Sequence, residues 1–311
     1  MRCLVTGCAG FIGSHLTERL LRKRCKVIGI DCFTDYYPRP AKEKNIQAAL
    51  NNENFAFIEK DIVQMNKFPE VDYVFHQAAQ AGVRASWGRS FEIYTRNNIL
   101  ATQKMLEYYK DIDIKKFVFA SSSSVYGDAD ELPIREETPK KPISPYGATK
   151  LAAENLCNLY YINYGVPTVS LRYFTVYGPR QRPDMAINKF VHAVLNDKKI
   201  EIYGDGTQTR DFTYISDIIQ ANLLAAESKV KGEVFNIGGG SRISVNNLIE
   251  VIESIVGKKA EIKYSRRQKG DAQRIYADIS KAKKMLGYKP EVYIDMGIRK
   301  YVNYLCSNET K

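Results

Sequence analysis

The amino-acid sequence predicts an α/β protein: a doubly wound parallel sheet carrying a smaller, discontinuous C-terminal substrate-binding part. Three observations predict it. Short apolar runs alternate with amphipathic stretches through the first half, and the first run ends in a glycine-rich turn. Beyond Arg172 the texture then changes to shorter elements and loops rich in Gly, Pro and Arg.

Taken in order, Arg2–Thr6, Val27–Asp31, Phe55–Lys60, Tyr73–His76 and Lys116–Ala120 have the continuous hydrophobicity of strands buried on both faces. Helices are expected at Phe11–Lys23, where Phe11, Ile12, His15, Leu16, Leu20 and Leu21 share one face, and at Asn98–Lys110. A long helix from Ser144 to Asn163 feeds a sixth strand, Thr168–Arg172. The loops at 178–183 and 204–206 open the second texture, and 212–237 reads as a return to the first layer. The expected division is therefore 1–172 with 212–237 as one domain, and 173–211 with 238–311 as the other.

Composition narrows the class. At 311 residues and 35.4 kDa, with 44% hydrophobic and 26% charged residues, the chain has the proportions of a soluble globular protein. The charge-free stretch Asn155 to Leu171 holds three Asn, a Gly and a Pro, which is too polar for a bilayer. The first residues run straight into a strand, so neither a signal peptide nor a membrane partner is expected, and a cytoplasmic location is. Six cysteines (3, 8, 25, 32, 157, 306) show no Cys-x-x-Cys pair, and the three histidines (15, 76, 192) are scattered. Free buried thiols and no metal are the expectation. The net charge of +11 peaks between Lys258 and Arg274, yet no nucleic-acid-binding module accompanies it. That run is a solvated basic face or a phosphate-facing site, and no nucleic-acid partner is expected.

The chemistry begins at Thr6-Gly7-Cys8-Ala9-Gly10-Phe11-Ile12-Gly13. Glycines there allow positive φ and close backbone approach, and the helix that follows offers free N–H groups to a pyrophosphate. Asp31, closing the second strand, suits the two hydroxyls of an adenosine ribose, and Cys32 rather than Arg follows it. This is the Rossmann arrangement, and it predicts NAD rather than NADP, contacted by Gly7, Gly10, Phe11, Ile12, Gly13 and Asp31. Asp61 and Ile62 end the third strand where an adenine edge would lie, and Ala78 and Ala79 are small enough to admit a dinucleotide.

Tyr146 and Lys150 stand four apart on a helix and so share a face. A phenol has an ordinary pKa of about 10, and a neighbouring ammonium brings it towards general-base range. Ser121 to Ser124 follow the fifth strand directly, placing hydroxyls at the mouth of the sheet.

With these motifs in this order, the chain resembles the extended short-chain dehydrogenase/reductases, specifically the NAD-dependent nucleotide-sugar epimerases and dehydratases. The resemblance runs from the glycine turn through Tyr146–Lys150 and Gly204–Phe212 to Tyr276-Ala277-Asp278. It implies Ser122 as the catalytic hydroxyl, Tyr146 as the base with Lys150 as its partner, and Asn98 and Tyr173 beside the cofactor. Where 4,6-dehydratases carry Asp-Glu after that hydroxyl, this chain has Ser123-Ser124, so the resemblance points to epimerisation at C4. The segments Asp31–Tyr37, Gln77–Arg84 and Arg172–Pro179 are similar to those of UDP-glucuronate 4-epimerases. That likeness implies carboxylate contacts from Ser123, Ser124 and Thr175. It also implies a diphosphate held by Arg210, then Arg182 and Arg84, and a uridine ribose on Asp271. UDP-glucose or UDP-N-acetylhexosamine epimerisation is the alternative, and a catalytically silent NAD-binding scaffold is a reading of another class. A homodimer formed through the helices at 90s–110 and 144–163 is expected from the family.

Overall fold

A computed structural model describes residues 1–309; the last two positions of the second expected domain, 310 and 311, lie outside the described residues. The first half runs β1 (Arg2–Thr6), α1 (Phe11–Arg22), β2 (Lys26–Asp31), α2 (Arg39–Leu50), β3 (Phe55–Glu59) and β4 (Tyr73–His76). It continues with α3 (Phe91–Tyr94), α4 (Ala101–Tyr109), β5 (Lys116–Ser122), α5 (Pro145–Tyr164) and β6 (Thr168–Tyr173). The second half holds β7 (Thr175–Tyr177), α6 (Ala186–Leu195), β8 (Ile200–Tyr203), β9 (Thr209–Tyr214), α7 (Ile215–Glu227) and β10 (Glu233–Ile237). After these come β11 (Arg242–Ser244), α8 (Val245–Val256), β12 (Ile262–Ser265), α9 (Ser280–Leu286) and α10 (Ile294–Glu309).

Seven parallel strands form the main sheet in the order β3-β2-β1-β4-β5-β6-β10. The order reverses between β1 and β4, which opens a crevice at the carboxyl ends of the strands. Alternation along each strand feeds two layers. Cys3 and Val5 of β1, with Val118 and Ala120 of β5, join the core that continues under α6, α8 and α10. Leu4, Phe117 and Phe119 point the other way, against α4 and α5. Strands β11, β9 and β7 make a small sheet and β12 pairs with β8, so β9 is not part of the main sheet.

Three sequence expectations need correction. The helix expected to start at Asn98 begins at Phe91 and passes through a π turn at Thr95–Leu100 before α4. The wider turn carries Asn98 to Gln80, whose backbone it both accepts from and donates to. Strand β5 runs two residues further than its apolar pattern, because Ser121 and Ser122 still pair with Arg172 and Tyr173. Of the six thiols, Cys32 and Cys306 are exposed, one at the end of the crevice strand and one in the last helix.

Long helix α5 is fixed at both ends. Ser144 Oγ accepts from Gly147 N at 3.1 Å, Pro145 occupies the first turn, and Gly165 closes the helix at φ +74°. Behind the crevice His76 is threaded by hydroxyls: Ala78 N–H donates to Thr6 Oγ1, which lies 2.8 Å from His76 Nδ1. On the other side His76 Nε2 meets Thr102 Oγ1 at 3.0 Å, and that hydroxyl donates to Asn98 O. Only the neutral Nε2–H tautomer satisfies every member of this chain.

Burial pushes His76 down to about 3 and His15, which contacts Pro179 O at 2.9 Å, down to about 4. Both rings stay neutral in the folded protein while an unfolded chain would protonate them near pH 6.5. Their contribution is present above pH 6.5 and lost as the pH falls through that window. The variant His15→Gln should therefore gain stability relative to the unmodified protein by about 2 kcal/mol between pH 7 and pH 5. Denaturant unfolding at the two pH values measures this, and a pH-independent difference would contradict it.

Candidate active site

Glycine sets the geometry of the cofactor crevice. Gly7 has φ +67°, and a Cβ there would sit 2.8 Å from Ala78 N; one on Gly13 would sit 2.0 Å from Gly7 O. Helix α1 starts at Gly10 with no side-chain cap, leaving its first amides to a ligand. Gly7, Gly10, Phe11, Ile12 and Gly13 all line the crevice. So do Asp31, Asp61, Ile62, Ala78 and Ala79 further along its wall.

Asp31 is held at the crevice rim by Ala9 N on Oδ2 at 3.0 Å and by Phe33 N on Oδ1 at 2.9 Å. Burial raises its pKa, while those two amides and Lys42 pull the other way. Asp61 accepts from Val63 N and from Arg96, so one of its oxygens caps a short turn. Asn98, expected beside the cofactor, does not line the crevice: it is buried behind the wall, bonded to Gln80 and to Thr149 Oγ1.

At the inner end Tyr146, Lys150 and Tyr173 line the same crevice. Ser122 ends β5, and its Oγ accepts from Ser124 N at 3.1 Å. Burial raises the Tyr146 pKa, opposed by the Ser122 hydroxyl and the Arg182 charge. Lys150 is 3% exposed, and burial lowers it to about 8. The ammonium is thus desolvated in the crevice that Tyr146 also lines, 4.8 Å from the Phe119 ring centroid. Ser123 is buried and Ser124 half-buried in the turn that follows Ser122, and Thr175 begins β7 opposite Phe212 of β9.

A second hollow lies among Tyr203, Arg210, Arg267, Asp271 and Gln273. Arg210 donates to Thr209 O and Gln273 O, and burial lowers its pKa. Arg84 and Asp271, expected as separate ligand contacts, bind each other at 2.7 Å, with the guanidinium 4.4 Å from the Tyr203 ring centroid. Arg182 does not join Arg210: it lines the crevice beside Tyr146, paired with Asp184 at 2.9 Å.

Among the wall residues the sequence did not assign as contacts are Tyr36, Tyr37 and Gln77, which lie in the family-like segments, and Lys42, which lies outside them. Lys42 is 4% exposed and lies over the Tyr37 ring, yet in sequence it is one of several charges in a polar helix. Among the described residues there is no cluster of His, Cys, Asp or Glu able to hold a metal, and no helix long and apolar enough to cross a membrane.

The family model described as GDP-mannose 4,6 dehydratase matches residues 4–301. The chain belongs to that family, within the extended short-chain dehydrogenase/reductases. It is 42% identical to a UDP-glucuronate 4-epimerase of Thermodesulfobacterium geofontis over 98% of this chain and 96% of that one. Its fold is similar to UDP-glucuronic acid 4-epimerase of Bacillus cereus solved with UDP-glucuronic acid and NAD. That likeness has a TM-score of 0.96 and 45% identity over 99% of this chain and 100% of that one. A UDP-N-acetylglucosamine 4-epimerase of Methanobrevibacter ruminantium matches with TM-score 0.91 and 35% identity, over 99% and 98% of the two chains.

Proposed function

We propose that this protein is an NAD-dependent UDP-sugar 4-epimerase whose substrate is UDP-glucuronate and whose product is UDP-galacturonate. The observation that carries the reading is the hydroxyl–phenol–ammonium group of Ser122, Tyr146 and Lys150 at the inner end of a dinucleotide crevice, with serines following the hydroxyl. The Bacillus cereus relative, solved with both UDP-glucuronic acid and NAD, supports the same substrate and cofactor. In this reading 1–172 and 212–237 carry the cofactor, and 173–211 and 238–311 carry the sugar nucleotide.

The crevice fits NAD: its glycine cradle has no room for a Cβ, and the Asp31 carboxylate stands at the ribose end. Bound there, NAD would accept the C4 hydride of the sugar and return it. The chain's own part is proton handling and grip. Tyr146 takes the C4 hydroxyl proton, Ser122 orients that hydroxyl, and Lys150 stabilises the phenolate. Arg210 holds the diphosphate while the 4-keto sugar turns to present its other face. A ketone β to a carboxylate invites loss of carbon dioxide. Contacts from Ser123, Ser124 and Thr175 keep the carboxylate solvated by hydroxyls and its C–C bond out of line with the carbonyl π system. Charges at Arg84, Arg182 and Asp271 would exchange their present partners for the ligand.

A cytoplasmic homodimer belongs to this reading. Leu159, Ile162 and Tyr164 on α5 and Leu100 before α4 leave apolar surface exposed, which a second copy of the chain would cover. Light scattering of the purified chain should give twice 35.4 kDa.

The function is tested by assaying UDP-glucuronate, UDP-glucose and UDP-N-acetylglucosamine side by side. UDP-glucuronate should be turned over fastest, and preference for either neutral sugar would overturn the substrate assignment. The variant Tyr146→Phe should lose nearly all turnover with NAD still bound. More than about a tenth of the unmodified rate, or less than about 1.4 kcal/mol of barrier, would remove Tyr146 as base. Replacing Asp31 by Asn should weaken NAD binding by about 1–3 kcal/mol, read by calorimetry. Thr175→Val should slow uronate epimerisation and raise the fraction of decarboxylated pentose seen by mass spectrometry. An unchanged rate and no pentose would leave Thr175 a structural residue.

A further inference from the structure

Behind the acid–base group lies a buried ionic network that the chemistry above does not use. Glu154 sits on α5 one turn beyond Lys150, and Arg172 sits on β6 immediately before Tyr173. Their side chains are 5% and 3% exposed and form a two-point pair, Arg172 Nη2 to Glu154 Oε1 at 2.5 Å and Nε to Oε2 at 3.0 Å. The Ser121 hydroxyl donates to the same Glu154 Oε2 at 2.6 Å. Ser121 precedes Ser122, so this carboxylate ties the helix carrying Tyr146 and Lys150 to the strand end carrying the Ser122 hydroxyl. On its far side Arg172 donates through Nη1 to Tyr126 Oη and to Glu136 O. Tyr126 in turn donates to Asn236 Oδ1 at 2.7 Å, and Asn236 Nδ2 donates to Ile134 O and Asp278 O.

A buried pair is weak evidence for stability, because desolvation offsets much of its attraction and an apolar pair of similar volume often serves as well. Its geometry is another matter. A fork-on-carboxylate contact fixes direction as well as distance, and here it joins three elements at the one level where the reacting side chains meet.

We propose that Glu154 and Arg172 are positioning residues that set the separation of the Ser122 hydroxyl from the Tyr146 phenol. This rests on the reading of Tyr146 as the base. Ser122 of β5 and the Arg182 charge from the loop after β7 act on the Tyr146 phenol, the Tyr94 ring of α3 lies at 6.2 Å, and Lys150 of its own helix lines the same crevice. Of these, Ser122 is the contact that depends on how β5 lies against α5. The Ser122 hydroxyl favours the ionised phenol, so a larger separation moves that ionisation to higher pH.

The test separates geometry from stability. The single variant Glu154→Gln leaves a buried guanidinium without its counter-charge, so it should lower both melting temperature and turnover. The double variant E154Q/R172M removes both charges. Its melting temperature should return towards that of the unmodified protein, while kcat for UDP-glucuronate stays at least tenfold down and KM changes less than twofold. The acid limb of its kcat–pH profile should also move to higher pH. Recovery of kcat to within twofold together with the melting temperature would overturn the proposal. If the double variant does not fold, Ser121→Ala leaves the ion pair intact and cuts only its link to β5. A severalfold fall in kcat with the same alkaline displacement is expected there, and a rate within twofold with an unmoved profile overturns the proposal. The unmodified protein and Tyr146→Phe are run alongside. An inactive unmodified protein, or an active Tyr146→Phe, would show instead that the underlying reading has failed.

Discussion

The chemistry of this chain depends on how closely helix α5 approaches the end of strand β5. The residue after Tyr146 is Gly147, and a Cβ there would lie 2.4 Å from the Ser124 carbonyl oxygen. No side chain fits that space, so helix backbone and serine turn meet directly. The Ser144 cap on Gly147 N holds the first turn of the helix in that position. This approach sets the first turn of α5, which carries Tyr146, against the serine turn after β5, and one turn further along Lys150 is buried with its pKa lowered to about 8.

Electrostatics complete the arrangement in the other half. The net charge of +11 is not spread blandly around the site, because the arginines facing it are each held by the protein's own groups. Arg84 rests on Asp271 and the Tyr203 ring, and Arg182 on Asp184. Arg210 is fixed by backbone carbonyls and by burial. A ligand carrying a diphosphate and a carboxylate would compete for these partners rather than meet bare charges. Such exchange keeps the guanidinium groups oriented before a ligand arrives, which reduces the ordering that binding would otherwise require.

Much of this was legible in the sequence where the signal is local. The glycine turn, Asp31, and the four-residue step from Tyr146 to Lys150 are short spacings with one physical meaning each, and the strand–helix alternation follows from period alone. What stayed hidden is of two kinds. The π turn at Thr95–Leu100 has no distinct periodic mark, and it alone explains how Asn98 reaches Gln80. Long-range pairs were equally silent: Arg84 with Asp271, and Glu154 with Arg172, join residues whose partners nothing in the local pattern specifies. Lys42 reads as a surface lysine until the fold buries it over Tyr37.

The most direct test of the close approach is turnover of the variant Gly147→Ala, measured with its NAD occupancy and its circular dichroism. One methyl group at that point presses on the Ser124 carbonyl oxygen and forces the helix away from it without altering any other side chain. The account predicts at least a hundredfold fall in kcat, about 2.7 kcal/mol of barrier, with cofactor and fold retained. A rate within threefold of the unmodified protein would contradict it.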